Sequence, residues 1–180
     1  MNKYRTILAD PPWEIRFSKK NSRNMKERLE YPTMTTEAIC NMPVGDLAER
    51  GTHLWLWTTN QHLEDGFKVM RAWGFRYMAP ITWVKPSGIG MIFIHRTQTL
   101  LFGYKDFNAF NKKRCLPTVI MAGLPKRHSQ KPEEAYQMIE AMSDPARLEL
   151  FARPVSPMFQ KRDGWDVWGN EVQSDIDFIV

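Results

Sequence analysis

Short strand-forming apolar runs alternate with segments of helical period along this chain, and that alternation limits the fold more than any other feature. Seven runs read as buried strands: residues 4–9 (YRTILA), 53–59 (HLWLWTT), 77–85 (YMAPITWVK), 98–104 (QTLLFGY), 117–123 (PTVIMAG), 147–152 (RLELFA) and 165–169 (WDVWG). Between them, Leu63, Phe67, Met70 and Trp73 fall at helical spacing behind Asn60 as a cap, with Gly74 as a stop. A second helix is predicted over 131–145. Pro132 sits in its first turn, Glu133 and Glu134 follow, and Ala135, Met138, Ile139 and Met142 form its apolar face before Pro145. Strands alternating with helices predict an α/β fold: an open, doubly wound, mostly parallel sheet with helices on both faces. The 180 residues, 43% of them hydrophobic, can build one real core and would make two cramped ones. Residues 1–180 are therefore read as a single domain.

Charge and cysteine usage narrow the setting. The formal net charge of +5 is compatible with a polyanionic partner without requiring one. Cys40 and Cys115 form no CxxC pair, so a reducing, cytoplasmic location is expected. The first residues lack a signal-type apolar core and no apolar run reaches membrane-spanning length, so no membrane association is expected. His53, His62, His95 and His128 show no ligand spacing, and no metal is expected. Gly88-Ile89-Gly90 lacks the third glycine of a dinucleotide fingerprint, and Ser129 beside His128 does not make a triad.

Three stretches follow neither period: 14–34, 86–97 and 153–164. Each leaves a predicted strand. Open parallel sheets bind ligands outside the carboxyl ends of their strands, so these three loops mark the expected functional end.

The first loop begins with Asp10-Pro11-Pro12-Trp13, which allows two readings. Asp-Pro-Pro is an ordinary way to end a strand, because proline removes the donors a ladder needs. It is also a rigid mount. Two fixed φ angles leave the Asp10 carboxylate and a backbone carbonyl as outward acceptors beside the flat plate of Trp13. That arrangement suits a planar base carrying an exocyclic amino group. The lone pair of adenine N6 is delocalised into the ring, and two acceptors gripping its hydrogens would free it. Such catalysis works by positioning and electrostatics, since an ordinary Asp is too weak a base to deprotonate a neutral amine.

The tetrapeptide stands in company. YPTM (31–34), LWLWTTN (54–60), WGF (73–75), ITWVKP (81–86), HSQKPEEAY (128–136), LELFARP (148–154) and WDVWGNE (165–171) follow it in order over nearly the full length. Together these blocks resemble the MT-A70 family of N6-adenine methyltransferases. The resemblance implies a Rossmann-like domain that uses S-adenosyl-L-methionine to methylate adenine N6 in nucleic acid. DNA is favoured over RNA, because the compact chain is similar to bacterial and phage relatives. An RNA enzyme and a non-catalytic, nucleic-acid-binding partner subunit on the same fold are the alternatives. The catalytic strand comes first and the cofactor-half strand last, which resembles the permuted β-class order. That class implies a homodimer or a partner subunit, although no residue marks an interface.

Carried over by position, Asp10, Pro11, Pro12 and Trp13 match the catalytic motif, with Asp10 also near the cofactor. Tyr31 matches an aromatic residue of a loop closing over the site. Trp83 and Lys85 match a second wall near the incoming base. Lys131, Arg153, Asn170 and Glu171 match cofactor contacts, Lys131 at the methionine carboxylate and the last two at the ribose. Glu171 stands where eukaryotic relatives often carry glutamine, and a carboxylate can accept from ribose hydroxyls.

The loop after Trp13 is strongly basic. Six of the thirteen residues from Arg16 to Arg28 are Lys or Arg. A solvated loop is one reading; a clamp on the phosphates around an extruded adenine, through Lys19, Lys20 and Arg23, is the other. Lys112-Lys113-Arg114 and Lys126-Arg127 would extend it. Trp55, Trp57, Trp73, Trp165 and Trp168 are assigned to the core, whereas Trp13 and Trp83, at strand ends, are candidate base-stacking plates.

Overall fold

The computed structural model describes residues 3–14, 32–90, 92–106, 115–125, 130–156 and 158–178. Among the described residues, seven strands form one sheet: β1 (Tyr4–Ala9), β2 (Ala48–Thr58), β3 (Arg76–Ile89), β4 (His95–Tyr104), β5 (Val119–Met121), β6 (Arg147–Leu150) and β7 (Trp165–Trp168). Their order across the sheet is β5-β3-β4-β2-β1-β6-β7. Every neighbouring pair is parallel except those made by β4, which runs antiparallel to both β2 and β3. β1 is an inner strand, with β2 on one side and β6 on the other.

Among the described residues, three helices cover the sheet: α1 (Thr36–Cys40), α2 (Leu63–Ala72) and α3 (Glu133–Met142). Successive strand residues point to opposite faces, and the core divides accordingly. Ile7, Ala9, Leu54, Leu56, Leu101, Leu148 and Leu150 pack on one face with Ile39 of α1 and Val69 and Met70 of α2. Leu8, Trp55, Trp57, Leu100 and Phe102 pack on the other with Ala135 and Ile139 of α3. The expected doubly wound, mostly parallel α/β sheet with helices on both faces is the one observed. Trp55, Trp57, Trp73 and Trp165 are buried, as assigned. No helix among the described residues is long and apolar enough to cross a membrane.

Four local expectations need correction. Residues 86–97 were expected to form a loop, yet β3 continues to Ile89 and β4 begins at His95, so they form the arms of an antiparallel hairpin. Gly88 makes that pairing feasible, because a Cβ there would lie 2.3 Å from the His95 carbonyl oxygen. Asn60 does not cap α2. It opens a 3₁₀ turn (Asn60–His62) whose cap is Thr59, and His62 is the N-cap of α2 itself. Pro132 is the N-cap of α3 in extended conformation, so its fixed φ precedes the helix and does not enter it. β5 is shorter than residues 117–123, as an edge strand paired only with β3. Gly74 does stop its helix, with φ +80 just past the last turn.

Ile7 is fully buried between two parallel neighbours, whereas Leu63 is 37% exposed. Ile7→Ala should cost about 2–5 kcal/mol in urea unfolding and Leu63→Ala less than about 1 kcal/mol. Equal losses at the two sites would contradict this placement of the core.

Candidate active site

β1 ends at Ala9, and the next residues cannot continue its ladder. Pro11 and Pro12 have no N–H, and the chain turns: the Trp13 amide donates to the Pro11 carbonyl at 2.9 Å. The Met34 amide donates to the Pro12 carbonyl at 2.8 Å, and the Glu14 amide donates to the Met34 carbonyl at 3.2 Å. Each proline carbonyl therefore already accepts one main-chain bond and keeps one lone pair for a ligand.

The alternation of β1 carries the Asp10 side chain to the face of Leu8, which is the face covered by α3. There Lys131, just ahead of α3, places its ammonium 2.5 Å from an Asp10 carboxylate oxygen. The same ammonium lies 5.4 Å from the centroid of the Trp57 ring. The sequence pictured Asp10 as an open acceptor. The structure makes it half of an ion pair, with Lys131 only 8% exposed.

Trp13 is buried. Its indole N–H donates to the Trp57 carbonyl at 3.1 Å, and its ring stacks on His62 at 5.3 Å and 16°. Trp83 is also buried. It donates to the Ala122 carbonyl at 3.2 Å and meets Trp57 edge-on at 6.2 Å. The ammonium of Lys85 lies 4.7 Å above the Trp83 ring and 3.4 Å from the Gln98 side-chain oxygen. Burial lowers the Lys85 pKa, and the charge of Lys131 lowers it further against the opposing pull of Asp10.

These groups border one cavity of about 820 Å³, lined by Asp10, Pro11, Pro12, Trp13, Trp83, Lys85, Lys131 and Arg153. It opens where β1, β2, β3, β5 and β6 end and where antiparallel β4 begins. The chain leaves β1 for β2 on one side, and β6 lies on the other, so Asp10 sits at the point where strand order reverses. Asn60 braces the far wall through His95, with nitrogens 3.0 Å apart. Arg153 follows β6 and pairs with Glu171 at 3.2 Å. Asn170 lies exposed in the turn after β7, and neither it nor Glu171 borders the cavity. Tyr31, Lys19, Lys20 and Arg23 lie outside the described residues, as do 112–114 and 126–127. No group of three or more potential metal ligands occurs among the described residues.

The MT-A70 family model matches residues 4–171. The chain belongs to the MT-A70 family. It is 29% identical over 176 residues to an Arabidopsis thaliana N(6)-adenosine-methyltransferase MT-A70-like protein, covering 92% of this chain and 23% of that one. It is 28% identical over 182 residues to the human N(6)-adenosine-methyltransferase catalytic subunit METTL3, covering 96% of this chain and 29% of that one. A Mycoplasma protein, type II methyltransferase M.MunI, is 25% identical over 195 residues and is matched over 78% of its own length. This MT-A70 chain thus spans under a third of the plant and human relatives.

Two groups near the site escaped sequence reasoning. One is His62 with Asp65. The other is Glu149, a lone acid inside the apolar LELFA run, which was a usable signal. Glu149 pairs in register with Leu8 and accepts from the Tyr136 hydroxyl at 2.8 Å. Burial pushes its carboxyl up to about 7, and the charge of Asp10 pushes the same way against the Tyr136 hydrogen bond. The folded protein therefore holds this proton more tightly than the unfolded chain. Glu149 favours the fold fully below about pH 4.5 and progressively less as pH climbs through about 7. The span is worth at most roughly 3 kcal/mol. Glu149→Gln keeps an acceptor for Tyr136 and removes the titration. In urea unfolding the variant should gain on the wild type between pH 4 and pH 8; a constant difference across that range would refute the shift.

Proposed function

We propose that this chain transfers the methyl group of S-adenosyl-L-methionine to N6 of adenine in nucleic acid, with DNA the favoured polymer. The observation that carries this reading is the Asp10-Pro11-Pro12-Trp13 segment at the strand-order reversal, facing a cavity with Lys131 beside its acid. A volume of about 820 Å³ is within the range of small-molecule and cofactor sites, roughly 300–1,000 Å³.

The donor set suits the cofactor. Half-buried cations and carboxylates occur together, and the cofactor carries a carboxylate, an ammonium, a sulfonium and ribose hydroxyls. Lys131 would hold its carboxylate, Arg153 would reach its ribose side from the cavity wall with Glu171 acting through their ion pair, and Asp10 would face both cofactor and base; Asn170 stays outside the cavity. When bound, the cofactor supplies an electrophilic methyl on sulfur. Asp10 and the remaining lone pair of a proline carbonyl would accept hydrogen bonds from the two N6 hydrogens and hold the nitrogen lone pair toward that methyl; as the N–C bond forms and the S–CH3 bond breaks to leave a neutral thioether, one N6 proton would leave along the Asp10 hydrogen bond to solvent. The prolines keep those acceptors from relaxing away. Trp13 and Trp83 border the base, and the walls of β3 and β4 exclude water. In a duplex the adenine has to be flipped out, and the basic segment carrying Lys19, Lys20 and Arg23 is the proposed grip on the surrounding phosphates.

RNA is the second reading, favoured by the N(6)-adenosine wording in the names of the plant and human relatives. Tritiated methyl transfer to DNA and RNA side by side separates the two. Asp10→Ala should lower transfer by about 100-fold or more on the accepted polymer. Activity that survives in this variant would overturn the assigned site, and cofactor binding without transfer to either polymer would favour a non-catalytic partner subunit. Neutralising Lys19, Lys20 and Arg23 together should flatten the salt dependence of oligonucleotide binding by about 0.9 in log–log slope per lost phosphate contact. An unchanged slope would remove the segment from the interface.

A further inference from the structure

We infer that His62 and Asp65 form a proton-bearing clamp that positions the Asp10–Trp13 segment for reaction, with His62 acting through Trp13 and Glu14. The inference rests on the proposed reaction for its role and on geometry for its existence. His62 ends the 3₁₀ turn after β2, and Asp65 lies three residues on, one helical turn away. Both side chains are buried, at 4% and 5% exposure. The His62 Nδ1 atom is 3.0 Å from an Asp65 carboxylate oxygen, and Nε2 is 2.7 Å from the Glu14 carbonyl oxygen.

A carbonyl oxygen only accepts, so Nε2 must carry a hydrogen. The Nδ1 contact needs a second hydrogen, or two lone pairs would face each other at 3.0 Å with no water to intervene. Lys68 lies 3.6 Å from the other Asp65 oxygen and favours the carboxylate, which leaves both hydrogens on the ring as an imidazolium. The other charged groups described near the pair are consistent with that state. On α1, burial and then the charge of Asp65 raise the Cys40 thiol, so it adds no negative charge. Glu37 of α1 acts on Cys40 more weakly, and Glu14 contributes its carbonyl while the residue itself is exposed. Asp10, Lys85 and Lys131 border the same cavity.

One ring thus fixes two consecutive residues. It stacks flat on Trp13 at 16°, and it anchors the Glu14 main chain by hydrogen bond. Pro11 and Pro12 cannot rotate about φ, so a shift at Trp13 passes back to Asp10 with little absorbed between. Loss of the clamp proton would turn a bare Nε2 toward the Glu14 carbonyl and push the segment away.

The test has two arms on the full chain. In nitrogen-15 NMR of histidine-labelled protein, the His62 ring, identified by its contact with Trp13, should carry hydrogen on both nitrogens at the assay pH. A ring with one bare nitrogen would overturn the clamp whatever the activity. In the kinetic arm, His62→Phe keeps a flat ring on Trp13 but cannot donate to Glu14. It should lower kcat roughly 10- to 100-fold, with KM for S-adenosyl-L-methionine unchanged within about twofold. Asp65→Asn can donate to Nδ1 and keep Nε2 hydrogen-bonded without the extra proton. It should retain turnover within about threefold, because the anchor on the Glu14 carbonyl survives. Parallel losses of kcat in both variants, or a KM that rises along with the fall in kcat, would mean a merely structural pair and would overturn the positioning role. A doubly protonated ring in a wild-type protein that methylates nothing would uphold the clamp and overturn the proposed reaction instead.

Discussion

Two consecutive residues without an N–H, at the end of a strand buried on both faces, are the constraint on which the rest of the site depends. β1 lies between two parallel neighbours, and its ladder has to stop at Asp10 because Pro11 and Pro12 donate nothing. The chain then turns back on itself through the Trp13–Pro11 bond and is tied to Met34. β2 runs on for two residues to Thr58, β6 ends level with β1 at Leu150, and the cavity lies above these strand ends. A donor-bearing pair in place of the prolines could extend the ladder toward Met34 and narrow that cavity.

Charge placement follows from the same stop. Asp10 is carried by strand alternation to the α3 face, where the chain entering α3 delivers Lys131. Glu149, one strand over on that face, feels Asp10 strongly enough to be raised further beyond what burial imposes. Lys85 feels Lys131 in the same way from the opposite wall. Four ionisable side chains are therefore coupled across the end of a sheet through a partly dry space, where charges act on one another more strongly than in water. Arg153 and Glu171 form a separate pair on the β6 side. A zwitterionic ligand would meet opposite charges on both flanks of Asp10.

The legibility of the sequence varied with the range of the forces involved. Ile7, Leu54 and Leu148 could be placed in strands because an apolar run closed by turn residues has few other uses. The period of Ala135, Met138, Ile139 and Met142 identified α3 for the same reason. The hairpin arms around Gly88 looked like a loop because glycine and proline weaken any local preference; only pairing with β4 makes them strand. Asn60 looked like a cap, but the helix starts later because a 3₁₀ turn intervenes. His62 and Asp65 carried a visible spacing, yet nothing local says that the Glu14 carbonyl lies at the Nε2 edge of the ring.

The sequence by itself determined the strand and helix alternation, the stop after Asp10 and the order of motifs that places the chain in the MT-A70 family. These depend on side-chain period, on the missing proline donors and on residue order, none of which needs a neighbour from afar. The tertiary structure alone decided that Lys131 would pair with Asp10, 121 residues away, that β4 would run against its neighbours, and that His62 would lie beneath Trp13. Those contacts join segments distant along the chain. Their energies exist only once burial removes water from between the partners, so no local pattern could encode them.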